Sequence, residues 1–584
     1  MNSAMKNFLL ATVTLSVAGA FVHAQNAPTA KRTPQVSATI DFLDYVFFMH
    51  KGPEDYYPLD EYEKELKQLA DAGIRKIYLR VNVCGLTHYP TKVSAQYGDN
   101  DALHWTFEKQ ALRLVETYKH YNPCTETIRI GHKYGMEVWA WESLHDDAGV
   151  CYSNANLSER YKSIYDKLKG WALLDPFYLD NPDALAEIDP RFKMTDVDVQ
   201  TINEEACRLP IEKIVFTNPP RWKGLPLGKI TQDNFRIYVS ADNKQYTLYD
   251  KPFTFLAHKV NGCNQIVVSG LNITQPYIKL DCTDNSSKYS MVIMQLTGQG
   301  ELYNTEGKKV PSAWNWGSGN PEKTWINFAQ FTGSAAWDYQ DRYVGCVVGV
   351  IPQTQYYLGV VEYATQKGMK HGVDRFRELA EYPFDGFMFN TRCHSARADA
   401  ERYVFNPEVL VKFKARYGHD YNGTESDKEG VCQIRAEGIA DFFKNCKALT
   451  NGRPIYMSAP LPIEMKNDDN FNTSFGPLPW LYKRYFAEGS IDGVVMIGKN
   501  WNNASDFSSY FTDEITGGKP IKIGIFREGA KYGKDMDFFK KDMGELLNAN
   551  LDEIEFYESM ILNQKPEMLE FINKPRINTN GHEF

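Results

Sequence analysis

The chain has 584 residues, 43% of them apolar and 24% charged, with 41 glycines and 28 prolines. That composition is globular and excludes a mainly disordered, collagen-like or polytopic membrane chain. The formal charge is −9, and no Lys/Arg run forms a basic patch, so the field repels a phosphate polymer and nucleic acid is excluded as a partner. At roughly 150 residues per domain the length admits three or four domains, or one closed barrel of ~250 residues carrying an insertion.

Residues Met1 to Ala24 hold a single charge, Lys6, followed by the apolar run Phe8 to Phe21 and the small-residue site Val22-His23-Ala24. The run is shorter than the ~18 residues a membrane span needs and has the form of a secretory signal peptide, with cleavage expected after Ala24. No later segment is long and apolar enough to span. The expectation is therefore an exported protein, periplasmic or secreted, with a net charge of −10 once Lys6 is removed. Aromatic residues make up 14% of the chain, including 35 Tyr and 11 Trp; in an exported protein, those not used in the core suit sugar rings, which present C–H faces between their hydroxyls. The ten cysteines, at 84, 124, 151, 207, 263, 282, 346, 393, 432 and 446, include no C-x-x-C pair. This argues against a structural zinc site, and neither metal nor cofactor is expected. Oxidation of some cysteines, for example Cys263 with Cys282, is compatible with export.

After a Pro/Thr/Gln-rich leader over 25–35, a rhythm of short apolar run, loop and amphipathic helix begins. Ile40 to Met49 reads as a first strand, and Leu59, Tyr62, Leu66, Leu69 and Ala70 then line one face of a helix that Gly73 stops. Ile74 to Asn82 is a second strand. Asn122-Pro123 opens a helix that ends at Gly135, and Met136 to Glu142 is a third strand. The rhythm breaks after Asp147 and resumes near Gly372, giving strands at Phe384–Asn390, Pro454–Ser458, Ile491–Ile497, Pro520–Phe526 and Leu551–Tyr557. Three strands before the break and five after it, each separated by helix-length sequence, predict eight parallel strands with right-handed crossovers, a (β/α)8 or TIM barrel. An open doubly wound sheet comes second, since no G-x-G-x-x-G or G-x-x-x-x-G-K-[ST] loop is present.

Between about 205 and 335 the texture changes to short strands bounded by turn residues: Phe235–Ser240, Gln265–Ser269, Tyr277–Asp281 and Ser290–Met294. This predicts an inserted antiparallel β-sandwich, dividing the chain into a first barrel part at 36–204, the insert at 205–335 and a second barrel part at 336–584. Within the insert, the run from Arg236 to Leu248 with Tyr277-Ile-Lys-Leu280 downstream resembles the discoidin-like β-sandwich over about 70 residues. That resemblance implies either a carbohydrate-binding module or a purely structural insert.

Barrel chemistry sits where strands end at their C-terminal face. The third strand ends Trp141-Glu142-Ser-Leu-His145-Asp146-Asp147, the fourth Asn390-Thr-Arg392-Cys-His394, the seventh Arg527-Glu528-Gly529 and the eighth Tyr557-Glu558-Ser559. A glycosidic bond breaks when one carboxyl protonates the leaving oxygen while a second supports the anomeric centre or activates water. Strands three and seven face each other across an eight-stranded barrel, so Glu142 and Glu528 are the expected catalytic pair, with Asp146 and Glu558 in reserve. Trp141, His145, Asn390, Arg392, His394, Lys499, Trp501 and Arg527 are the expected substrate-binding residues. Lys499-Asn-Trp501-Asn-Asn503, after the sixth strand, offers an indole with amides beside it. For each glutamate the alternative is an ion pair with Arg80, Arg392 or Arg527. No G-x-S-x-G elbow or H-E-x-x-H helix is present.

Gly73-Ile-Arg-Lys-Ile-Tyr-Leu-Arg-Val, His132-Lys-Tyr-Gly-Met-Glu-Val-Trp-Ala-Trp, Tyr178-Leu-Asp-Asn-Pro-Asp183 and the stretch Phe384 to Ser395 together resemble the glycoside-hydrolase-like barrel group of bacterial exported proteins, over some 400 residues. The resemblance implies a polysaccharide-processing enzyme. Members often carry an aspartate where this chain has Asn390, so either the acid pair has moved to Glu142 and Glu528 or the barrel only binds. The expectation is an exported glycoside hydrolase acting on an oligosaccharide or polysaccharide. A non-catalytic carbohydrate-binding barrel is the alternative, and a lyase acting on acidic glycans through Arg392 and His394 is third. Oligomeric state is not legible.

Overall fold

The computed structural model describes residues 34–83, 85–98, 108–149, 173–187, 189, 209–218, 231–241, 245–260, 263–275, 277–282, 300–310, 313–314, 326–327, 347–350, 355–391, 405–459, 479–497, 508–529, 535–557 and 559–573. Eight strands close into one barrel in chain order: β1 (Gln35–Asp41), β2 (Lys76–Arg80), β3 (Glu137–Ser143), β4 (Gly386–Asn390), β5 (Ile455–Ala459), β6 (Gly493–Met496), β7 (Lys522–Glu528) and β8 (Glu553–Tyr557). All eight pairings are parallel, and β1 closes the ring against β8 with Ser37 opposite Glu555 and Ala38 opposite Phe556. This is the (β/α)8 architecture expected from the rhythm of the sequence.

Each helix arises from its local pattern. Over Leu59–Asp71 the buried residues Tyr62, Leu66, Leu69 and Ala70 recur at helical spacing, and the chain leaves through Gly73 at φ +86°, a conformation that a side chain disfavours. Asn122 caps the helix Pro123–Lys133 by accepting from the Cys124 amide at 2.9 Å, with proline at the first turn, and Gly135 at φ +71° ends it. The helix Glu425–Leu449 opens with a capping box between Thr424 and Asp427.

The first strand departs from expectation. It runs from Gln35 to Asp41 rather than from Ile40 to Met49; the Asp41 carboxylate accepts from the Leu43 amide at 3.2 Å, and the apolar run that follows coils into a helical turn over Phe42–Asp44 and a π-helical turn over Tyr45–Met49. Phe42, Tyr45 and Val46 are buried at spacings of three and four, which is helical rather than alternating.

Two core clusters divide the barrel. Ala38, Ile77, Val138, Phe387, Ile455, Val494, Ile525 and Phe556 face the surrounding helices in the main core. Tyr78, Trp139, Trp141, Met388, Tyr456, Val495, Ile497, Phe526 and Tyr557 fill the lumen. Gly386 on β4 is demanded by this filling, because a Cβ there would lie 2.6 Å from ring carbons of Trp139.

Between β3 and β4, two five-stranded antiparallel sheets are built largely from residues 211–327. Strands Phe235–Ser240 and Tyr277–Cys282 lie in one, and Ile211–Asn218 and Cys263–Ile273 in the other. Ile214 and Phe216 from one sheet and Phe235, Ile237 and Ile278 from the other share one buried cluster. The expected strand Ser290–Met294 lies outside the described residues, as do the side chains of Cys263 and Cys282. Cys124, Cys432 and Cys446 are free thiols. No helix among the described residues is long and apolar enough to cross a membrane.

Candidate active site

Strand phase decides which side chains reach the lumen. Successive residues point to opposite faces, so on β3 Trp139, Trp141 and Ser143 share the lumen side while Val138, Ala140 and Glu142 share the helix side. The lumen positions that end their strands at the C-terminal face are Asp41, Arg80, Trp141, Ser143, Asn390, Ser458 and Tyr557.

Arg80 organises one side of this mouth. Its guanidinium donates to Asp41 Oδ2 at 2.6 Å and to Asp146 Oδ2 at 2.9 Å, and its Nε donates to the Asn82 carbonyl at 3.0 Å. Asn82 in turn receives the Ser143 amide at 2.7 Å and donates to the Ser143 carbonyl at 3.1 Å, tying the end of β2 to the end of β3. The Arg80 guanidinium stands 5.4 Å from the Trp141 ring centre, and Tyr557 stacks with that indole at 6.1 Å and 28°. On the far side Asn390 accepts from Ser458 Oγ at 2.9 Å, and the Asn390 carbonyl accepts from the Leu144 amide at 2.8 Å. The mouth therefore combines two carboxyl groups held by one arginine, a stacked aromatic pair and a row of amides and hydroxyls.

Glu142 stands behind that wall. Arg375, from the helix Gln366–Ala380, donates to Glu142 Oε1 at 2.9 Å and to Asp147 Oδ1 at 3.2 Å; Asp147 also receives the Val361 amide at 2.8 Å and the Tyr178 hydroxyl at 3.2 Å. Burial raises the pKa of both carboxyls against the pull of Arg375. Glu142 thus faces the helical layer, and its ion-pair partner among the described residues is Arg375 rather than Arg80 or Arg527. Arg527 likewise points outward, donating to Asp542 Oδ2 at 3.1 Å. His145 is buried beside Tyr363, and burial, with Arg435 and Arg375 adding to it, pushes its pKa well below the ordinary histidine value, so its ring is neutral at pH 7.

The backbone of Glu528 ends β7 opposite Tyr557; its side chain, together with Arg392, His394, Lys499, Trp501 and Glu558, lies outside the described residues. Of the expected residues, the mouth brings together Trp141, Asp146 and Asn390 and leaves Glu142 and Arg527 on the other face of their strands. Reading strand ends alone missed Asp41 and Ser143. Asp41 was hidden by an apolar run that continues past it, and Ser143 by the extra residue of β3.

Among the described residues one group of metal-ligating side chains, His50, Glu54 and Glu61, brings ligand atoms within 4.8 Å of one another. The two ring nitrogens of His50 lie against different groups, Glu61 Oε2 at 2.9 Å and the Glu54 carbonyl oxygen at 3.2 Å. A groove of about 1000 Å³ runs between the helices Gln366–Ala380, Pro407–Tyr417 and Glu425–Leu449, and Arg416 and Glu437 on its wall pair with each other at 2.6 Å.

No family model matches the chain, and no curated protein matches it. Among solved structures, the catalytic domain of β-amylase from Paenibacillus polymyxa is similar over 93% of this chain and 99% of that one, at 7% identity and a TM-score of 0.32. An α-glucosyl transfer enzyme is similar over 90% of this chain and 68% of that one, at 10% identity and 0.34. A β-galactosidase from the psychrophilic Marinomonas ef1 is similar over 89% and 53%, at 7% identity and 0.33. Overlaps this slight say nothing of chemistry, and the fold rests on the closed ring of strands itself.

Proposed function

We propose that this chain is an exported glycoside hydrolase whose reaction takes place at the C-terminal mouth of the barrel. The observation that supports it most is the meeting of Asp41, Asp146 and Arg80 with the stacked rings of Trp141 and Tyr557 on the lumen side of the strand ends. Asp146 is ion-paired with Arg80, an arrangement that suits a carboxylate supporting developing positive charge at the anomeric carbon. Glu528, ending the strand paired with β8, is the proposed acid that protonates the leaving oxygen, with Glu558 as its substitute. Glu142, turned toward the helices, is assigned a positioning role: with Asp147 it holds Arg375 and so fixes the segment that carries Asp146. Arg392, His394, Lys499 and Trp501 belong, in this reading, to loops that receive the saccharide. The two antiparallel sheets between β3 and β4 form a β-sandwich module, whose resemblance to discoidin-like domains suits a second carbohydrate contact.

The non-catalytic alternative has its own support. Both described aspartates at the mouth are bound to one arginine, and Asn390 stands where the resembling group often carries an acid. The experiment that decides is hydrolysis of a broad glycan panel with sensitive detection of new reducing ends, run on wild type and on Glu528→Gln. Cleavage that falls by about 10²–10⁴-fold in the variant supports the reading. Binding without turnover across the panel sinks it in favour of the binder.

A further inference from the structure

Trp141 Nε1 and Ser143 Oγ are buried at the barrel mouth and have no hydrogen-bond partner among the described residues. They occupy consecutive lumen-side positions of β3, so their strand positions are about 6–7 Å apart. Leaving a buried donor or acceptor unsatisfied costs about 1–3 kcal/mol, and native proteins keep few such groups without a use. Two on one strand, both facing the lumen at its active end, are an argument for a ligand that pairs with them.

The chemistry of the two atoms narrows that ligand. An indole N–H only donates, so what faces it must offer a lone pair, which an ammonium cannot. Among the described residues the adjacent charged groups are two aspartates, Asp41 and Asp146, and the guanidinium they share, which favours a neutral ligand over an anion. A serine hydroxyl both donates and accepts, so it can pair with a sugar hydroxyl in either direction. Resting on the glycoside hydrolase reading for the identity of the molecule, we propose that Trp141 Nε1 and Ser143 Oγ form a subsite for the hydroxyls of a neutral sugar residue. In it the indole donates to one hydroxyl and Ser143 exchanges a hydrogen bond with another. Trp141 then acts through its ring edge, since Arg80 and Tyr557 already occupy its surroundings.

The test uses the full chain labelled with 15N at tryptophan indoles. The Trp141 resonance is assigned by its loss in Trp141→Phe, and glucose, galactose, mannose, fucose, xylose and arabinose are titrated in turn. At least one of these neutral sugars should move that resonance, and Trp141→Phe and Ser143→Ala should each bind that sugar roughly tenfold more weakly, about 1.4 kcal/mol for one lost hydrogen bond. Ser143→Ala should unfold at the same temperature as wild type or higher, because it removes an unsatisfied hydroxyl. The proposal is overturned if no sugar moves the resonance, if both variants bind as tightly as wild type, or if glucuronate binds more tightly than glucose. A shifted resonance with no hydrolysis anywhere would remove the enzyme reading and leave the subsite. Hydrolysis with an unchanged KM in both variants would do the reverse.

Discussion

The two ends of the barrel lumen are built from similar residues and have opposite characters. At the N-terminal end Glu553 takes Ser37 Oγ at 2.5 Å, Tyr78 OH at 2.8 Å and Lys76 Nζ at 2.9 Å, while the Lys76 ammonium stands 3.7, 4.3 and 4.6 Å from the ring centres of Trp139, Tyr456 and Tyr78. Carboxylate and ammonium are matched there, and the aromatic faces supply cation–π attraction. At the C-terminal end Asp41, Arg80 and Asp146 are also paired, but Trp141 Nε1 and Ser143 Oγ beside them have no partner among the described residues. One end completes its own interactions, and the other leaves donors directed at something else. A barrel of this kind separates what holds it together from what it does along its own axis.

The largest expected effect breaks the satisfied end. Lys76→Met leaves Glu553 buried without its counter-ion and should cost about 3–5 kcal/mol in urea unfolding. If it costs no more than Ser143→Ala, the contrast between the ends fails.

Glu555 lies between them, accepting from Thr39 Oγ1 at 2.6 Å through one oxygen while its other oxygen has no hydrogen-bond partner among the described residues. Burial pushes its pKa up from 4.5 to about 8, with the Thr39 hydroxyl opposing and Glu553 adding. The folded state therefore retains a proton that the unfolded chain releases. The resulting stabilisation is complete below the unfolded value of 4.5 and is lost as pH rises toward about 8. Its slope should be at most about 1.4 kcal/mol per pH unit, and Glu555→Gln should flatten it. Unfolding measured from about pH 5 to about pH 8 checks this; a variant that keeps the wild-type slope would assign the proton elsewhere.

Gly386→Ala forces a methyl against Trp139, near the satisfied end, and should lower stability by about 1–3 kcal/mol in thermal unfolding. The smallest effect sets the scale outside the lumen. Thr424→Ala removes one side of a helix cap and should cost about 1 kcal/mol, with no change in pH dependence or sugar binding.

Seven of the eight strands were legible as short apolar runs between helix signals, and their order around the ring follows from parallel crossovers, whereas the first was expected at 40–49 and meets the observed strand only at Ile40 and Asp41. What the sequence does not carry is phase. In β3 Val138, Trp139, Ala140 and Trp141 are all buried, so the alternation that marks a one-sided strand is erased, and Glu142 reads as a mouth residue although it faces the helices. Its partner Arg375 lies more than two hundred residues away on a helix whose pattern gives no hint of the contact. A signal did exist in Gly386, whose missing side chain marks where Trp139 needs room inside the barrel. The overrun of the first strand has a similar cause. Residues 42–49 are apolar enough to read as strand, but the strand ends at Asp41, whose carboxylate caps the turn by accepting from the Leu43 amide.

The seam between β1 and β8 constrains how this chain can come into being. Ser37 and Thr39 meet Glu553 and Glu555 across 516 positions of sequence, and the whole stretch from 144 to 385 lies between the third and fourth staves of the ring. Early in synthesis β1 has β2 on one flank and, on the other, a bare row of amides and carbonyls that no nearby segment can cover. Closure must wait for almost the last strand made, which gives slow, late-committing assembly dominated by distant contacts. Until then Lys76 has no Glu553 to meet, so the plug at the bottom of the lumen is the final lock on a ring whose opening strand has been waiting since the start.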